Sequence, residues 1–137
     1  MQVYQGVDIV EITRIKDIIL RNKDFIADIF TERERDYCMS KKDPYIHFAG
    51  RFAAKEAGLK ALGLGMSGTG IDSTLQEIEI TSHSSGRPVL NMSGWAHKIS
   101  QKKHIAQFTV SISHSENYAV ATVILLSKIK MTEENSA

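Results

Sequence analysis

The stretch Phe48-Ala-Gly-Arg-Phe-Ala-Ala-Lys-Glu-Ala-Gly-Leu-Lys-Ala-Leu-Gly63 reads as the helix around which the chain is organised. Phe48, Phe52, Leu59 and Leu62 make its main apolar stripe. Ala49, Ala53, Glu56 and Lys60 make a neighbouring stripe, small at one end and charged at the other. Small side chains there allow another chain segment or a ligand to come close. Glu56 and Lys60 are four residues apart and stand on one face, one turn above the other; Arg51 and Lys55 form a second pair at the same spacing. The helix begins at Asp43-Pro44, with aspartate as N-cap and proline in the first position, and runs to about Leu62.

Upstream, Val3 to Val10 is a β-prone run broken by Gly6 and Asp8, which suggests a strand carrying a functional or strand-end carboxylate. From Glu11 to Asn22, Ile12, Ile15, Ile18 and Ile19 fall on one helical face, with Arg14, Arg21 and Lys23 on or near the other. That basic side is either a solvated face or a docking surface for an acidic partner. Phe25 to Phe30 is a short apolar turn or helix. Thr31-Glu-Arg-Glu34 is a capping box opening a helix that ends near Met39.

Downstream, Gly63-Leu-Gly65-Met-Ser-Gly68 matches G-x-G-x-x-G in form only. A helix precedes it and a polar run follows, whereas the dinucleotide fingerprint needs a strand before and a helix after. A C-cap and loop is the plain reading, and backbone N–H groups meeting a phosphate the functional one. Leu75 to Thr81 alternates like a strand with one wet face, Ser84 to Arg87 turns, and Pro88 to Met92 is an edge-like strand. Ser93 can cap a helix from Gly94 to Lys102 with Trp95 and Ile99 facing inward. Gln107 to Ser113 and Tyr118 to Leu126 form an antiparallel hairpin. The expected class is α+β: a single domain over 1–126, an antiparallel sheet packed on one long helix and shorter helices, and a polar tail over 127–137.

With 137 residues, a formal net charge of +1 and one cysteine, Cys38, the chain suits one domain without an internal disulfide. Nothing suggests a nucleic-acid or membrane partner. The first residues lack a basic region followed by an apolar run, so the expectation is a cytoplasmic protein in a reducing compartment.

Three places can carry chemistry: Asp8, the Glu56/Lys60 pair and His114. Ser111 and Ser113 share a strand face that His114 does not, and there is no G-x-S-x-G elbow, which disfavours a serine hydrolase. No His/Cys group has zinc spacing. Two carboxylates from different elements, with a lysine one turn away, suit a hard divalent cation such as Mg²⁺, completed by waters and substrate phosphates.

Gly6-Val-Asp-Ile-Val10, Arg51-Phe-Ala-Ala-Lys-Glu-Ala-Gly-Leu-Lys-Ala-Leu-Gly63 and Val110-Ser-Ile-Ser-His-Ser115 before Tyr118-Ala-Val-Ala-Thr-Val123 together resemble the holo-[acyl carrier protein] synthases, the small group of 4′-phosphopantetheinyl transferases. The resemblance runs from Val3 to about Leu126. It implies the 4′-phosphopantetheinyl transferase fold and transfer of 4′-phosphopantetheine from coenzyme A to a serine of an acidic apo acyl carrier protein, with release of adenosine 3′,5′-bisphosphate. It implies Asp8 and Glu56 as ligands of Mg²⁺ (or Mn²⁺), Lys60 at the phosphates, and Arg51 and His114 lining the coenzyme A site. Gly63 and Gly65 would lie in the loop over its phosphates. Arg14, Arg21 and Lys23 would form the carrier-docking face, and small members are homotrimers with sites between subunits. Leu75, where an aromatic is common, and Ser82-His83, where Asn-Asp often stands, depart from the pattern outside the metal and phosphate motifs; the tail after Ser127 has no counterpart. Two rival readings use the same residues: another Mg²⁺-dependent diphosphate hydrolase, and a non-catalytic module binding carrier protein or coenzyme A.

Overall fold

A computed structural model describes residues 1–64 and 71–128. The strand β1 (Gln2–Glu11) leads into α1 (Ile12–Arg21), α2 (Phe25–Ile29), α3 (Glu32–Met39) and the long α4 (Pro44–Ala61). Then come α5 (Ile71–Glu77), the strand pair β2 (Ile78–Ser82) and β3 (Pro88–Met92), α6 (Gly94–Lys102), and the hairpin β4 (Ile105–His114) and β5 (Tyr118–Ser127). The hairpin carries β1 on its far side, giving an antiparallel sheet ordered β1-β5-β4, while β2 and β3 form a separate antiparallel pair. This is the α+β architecture expected.

Helix α4 is fixed at both ends by local chemistry. Tyr45 N donates to Asp43 Oδ1 at 3.1 Å, with Pro44 in the first turn. At the other end Gly63, at φ +82°, lets its own N–H reach Lys60 O (3.0 Å) and Leu64 N reach Leu59 O (2.9 Å), a Schellman stop. Along the body, Ala49, Ala53, Ala54, Ala57 and Ala61 are buried. Ala57 and Ala61 admit β1. Gly6 lies so close that a Cβ there would fall inside the Ala57 carbonyl and 2.8 Å from Ala61 N. Residues of β1 facing α4 therefore alternate with residues facing away: Gly6 and Asp8 are inward, paired with Val123 and Ala121 of β5, while Val3, Val7 and Ile9 are exposed.

Arg51 and Lys55 do not act as one pair. Both are buried, but they serve different neighbours. Lys55 Nζ donates to Glu34 Oε1 (2.7 Å), Leu75 O (2.8 Å) and Ile78 O (2.9 Å), so all three ammonium protons have acceptors. Glu34 closes the capping box with Thr31 N (2.8 Å) and accepts from Ile80 N (2.9 Å). One buried ion pair thus fastens α3, α4, α5 and β2 together, and its hydrogen bonds offset the desolvation that an isolated pair would suffer.

Three local expectations fail. Leu75 to Glu77 finish α5 rather than open β2, which starts at Ile78. Leu75 and Ile78 are three apart and both buried, a spacing that serves a helix end as well as a strand, and Lys55 holds the carbonyls of both. Trp95 is 50% exposed; Ala96 and Ser100 take the buried face of α6, and Ile99 is half-buried. Ser93 has N-cap backbone geometry but no capping bond from its side chain, because Glu77 Oε1, at the end of α5, accepts from Ala96 N at 3.0 Å instead.

Cys38 is fully buried, and burial raises its thiol to about 12. At pH 8 it is a thiol with no access to reagent, so native protein treated with a thiol-reactive disulfide should release almost no chromophore, and unfolded protein one equivalent per chain. Rapid labelling of native protein would contradict this packing.

Candidate functional site

Asp8 points inward from the middle of β1, beneath the C-terminal half of α4. Lys60, in the last turn of that helix, reaches back to it: Nζ lies 2.8 Å from Asp8 Oδ1 and 3.1 Å from Val7 O. The other carboxylate oxygen, Asp8 Oδ2, is buried with no hydrogen-bond partner among the described residues. Beside it stands the Glu56 carboxyl, one turn before Lys60. Burial, then hydrogen bonding to Asp8 and the Asp8 charge, push Glu56 up to about 8, against the opposing pull of Lys60 and Arg14. Asp8 Oδ2 finds a donor here only when Glu56 carries a proton. Two facing oxygens lacking a positive partner between them are a donor set for a hard cation. The group is a pair: among the described residues no cluster of three or more His, Cys, Asp or Glu could hold a metal. A pair still suits Mg²⁺, which usually keeps several waters and takes one or two carboxylates plus substrate phosphates.

Arg51, five residues before Glu56 on α4, belongs to a second cluster. Its guanidinium stacks 3.9 Å from the Tyr37 ring centroid, and its Nη2 donates to Ser82 Oγ at 3.2 Å. Its Nε is buried without a partner among the described residues. Lys41 Nζ lies 4.6 Å from the centre of the same ring, and the His47 ring meets it edge-on at 5.7 Å. Burial, then the charges of Arg51, Lys41 and His114, hold His47 below its ordinary value. Burial alone would raise the Tyr37 phenol, but Ser82, Arg51 and Lys41 more than offset it and leave it lowered. His114, at the exposed end of β4, bears on this cluster rather than on a serine; Ser111 and Ser113 pair with Thr122 and Val120 on the opposite sheet face. The sequence reading missed Tyr37, Lys41, His47 and Ser82. The spacing of Tyr37 to Lys41 and of His47 to Arg51, four residues each, was the available signal.

Arg14 and Arg21 line a groove of about 450 Å³ with Glu11, Asp17, Ile18 and Asn22. Arg14 also acts on Glu56, so the groove and the carboxylate pair adjoin. Lys23 is exposed just beyond α1. Gly63 is the left-handed residue just past the C-cap of α4, and Gly65 lies outside the described residues.

The profile of the 4′-phosphopantetheinyl transferase superfamily matches residues 5–123. Holo-[acyl-carrier-protein] synthase of Syntrophus aciditrophicus is 44% identical over 121 residues, 88% of this chain and 92% of that protein. The enzyme of the same name from Caldanaerobacter subterraneus subsp. tengcongensis is 40% identical over 124 residues, covering 90% and 94%. Among solved structures, a Chronobacterium ammoniagenes ACPS–CoA complex superposes with a TM-score of 0.81 at 28% identity, covering 94% of this chain and all of that one. A holo-(acyl-carrier-protein) synthase from Bacillus anthracis in complex with CoA (3′,5′-ADP) does so at 0.72 and 36%, covering 91% and 96%. Sequence, fold and the paired motifs on β1 and α4 agree: the chain belongs to the 4′-phosphopantetheinyl transferase superfamily and, within it, to the holo-[acyl-carrier-protein] synthases.

Proposed function

We propose that the chain transfers 4′-phosphopantetheine from coenzyme A to a serine of an acidic apo acyl carrier protein, in a Mg²⁺-dependent reaction that releases adenosine 3′,5′-bisphosphate. The observation that carries the site assignment is the buried, unpartnered Asp8 Oδ2 facing the raised Glu56 carboxyl. Asp8 and Glu56 would hold the cation, which when bound offsets negative charge on the diphosphate undergoing cleavage. Lys60 is the nearest mobile cation and supplies an ammonium to the departing bisphosphate. Arg51, whose Nε has no partner among the described residues, and Lys41 supply the positive charge, and His47 and His114 ring nitrogens, of a wall suited to a coenzyme A phosphate. Gly63 and Gly65 are assigned to the loop on the phosphate side.

The carrier docks, on this reading, at Arg14, Arg21 and Lys23. Arg14→Glu should raise the KM for carrier protein by roughly tenfold or more, since like charges at a docking face repel as well as fail to attract, with coenzyme A affinity kept. Unchanged carrier kinetics would remove the docking assignment.

The outward face of the sheet supports a homotrimer with sites between subunits. Val3, Val7 and Ile9 are 57%, 54% and 63% exposed, and their pairing partners are Leu126, Thr122 and Val120 of β5. A charge in that face should break the assembly. Val7→Glu should sediment as a monomer at concentrations where the parent is a trimer, and a monomeric parent would refute the assignment. No described helix is long and apolar enough to cross a membrane. We assign the protein to the cytoplasm, in fatty acid biosynthesis.

The deciding assay incubates the protein with coenzyme A, Mg²⁺ and apo carrier protein and weighs the carrier. A mass gain of one phosphopantetheine supports transfer. Diphosphate cleavage without that gain favours a hydrolase, and neither product favours a binding module.

A further inference from the structure

We propose that Lys60 stands in for the divalent cation in the metal-free site and competes with it for Asp8. The proposal rests on the reading that Asp8 and Glu56 hold that cation, and it concerns what the site does before the cation arrives.

Three observations carry it. Lys60 Nζ sits on Asp8 Oδ1 at 2.8 Å, at one of the two carboxylate groups that would coordinate the metal. Its second bond goes to Val7 O at 3.1 Å, so β1 holds the ammonium at two points against Asp8. The two partners also differ in freedom. The Asp8 side chain is 11% exposed and fixed on β1, whereas that of Lys60 is 46% exposed on a four-carbon stem at the end of α4. Of the two, Lys60 is the one that can leave.

Charge accounting gives the direction. Asp8, Glu56 and a bound dication are together neutral. An ammonium held against Asp8 is then a surplus positive charge beside the metal, and the Arg14 charge, which also acts on Glu56, adds to the repulsion. Metal binding therefore carries the cost of breaking the Lys60–Asp8 pair or of keeping two cations close. The natural destination for a displaced Lys60 is an anionic phosphate, where the proposed reaction needs it.

The test measures Mn²⁺ binding to metal-free protein without coenzyme A, by titration calorimetry or by the free-ion paramagnetic signal. Lys60→Met and Lys60→Gln remove the charge and shorten the side chain by one atom, one apolar and one still able to donate a hydrogen bond, and a half-exposed position tolerates both. Each should bind Mn²⁺ about tenfold more tightly than the parent, the scale expected for one ammonium removed from a partly screened pair. Unchanged affinity would show that Lys60 does not compete. Weaker affinity would show that it orients Asp8 for the metal, and either result overturns the proposal. Asp8→Asn separates this from failure of the metal reading. Loss of Mn²⁺ binding in that variant upholds the metal pair, whereas parental binding in it refutes the metal assignment and this proposal with it.

Discussion

Replacing Gly6 by alanine is expected to lower the melting temperature by roughly 10–20 °C, or to leave no folded protein to measure. The added methyl would lie within the Ala57 carbonyl, 2.9 Å from Ala57 C and 2.8 Å from Ala61 N. All three obstacles are backbone atoms of α4, and no rotamer change moves them. Either β1 or the helix has to shift by about an ångström against a close-packed core. Overpacking of this kind costs on the order of 3–5 kcal/mol, at the severe end for single substitutions. For a domain of this size each kcal/mol is worth roughly 3–5 °C. Gly50→Ala is the control. There the obstacle is one side-chain atom, the Ile112 Cγ2 methyl at 2.9 Å, in place of three backbone atoms, so the loss should be smaller. Thermal unfolding followed by circular dichroism reads both, and a Gly6→Ala variant as stable as Gly50→Ala would refute the contact.

The same contact explains why Gly6 and Asp8 occur two residues apart. The glycine lets β1 lie against α4, and the period of the strand then aims Asp8 at that helix. The sequence supplied half of this. The small stripe on α4 predicts a close neighbour, but composition alone does not say whether the neighbour is a ligand or a strand. The capping box, the Asp43-Pro44 start and the Gly63 stop were legible because each is local chemistry within four residues. Arg51 and Lys55 were not. Both are long cations at helical spacing, and only tertiary packing sends one to Glu34 and the other to Tyr37 and Ser82. Glu77 likewise takes the capping role read for Ser93 from nineteen residues away, a distance at which local pattern carries no information. Trp95 failed for a related reason: on a nine-residue helix, small Ala96 and Ser100 take the buried face in place of the large apolar residue. The Asp8–Glu56 pair is equally long-range: two carboxylates on different elements, with a lysine one turn from one of them, suggested it, and two motifs, each weak alone, tied the two together through a resemblance.

Asp8→Asn and Glu56→Gln should each reduce phosphopantetheine transfer by on the order of a thousandfold, the loss that follows from removing several kcal/mol of charge stabilisation. The sharper expectation concerns stability. In the metal-free protein the Glu56 carboxyl is raised to about 8, chiefly by burial and then by Asp8. In the unfolded chain it returns to the ordinary carboxylate range. Between those two values the folded state binds a proton that the unfolded state has released, so the slope of stability with pH is negative. The contribution is fully present below the unfolded value and is lost as pH rises through about 8. Glu56→Gln removes the titrating group and should flatten that decline, leaving the variant more stable than the parent at pH 8 to 9 in the presence of a chelator. Asp8→Asn removes the repelling charge and should act in the same direction, reduced by the loss of Lys60's partner. Divalent cation should reverse the order, stabilising the parent more than either variant. Two isosteric substitutions that abolish transfer while stabilising the metal-free protein at alkaline pH would mark a site strained for binding, because a carboxylate placed for structure alone should weaken the fold when removed. If both variants unfold at lower temperature than the parent across this pH range, Asp8 and Glu56 are structural and the metal assignment falls.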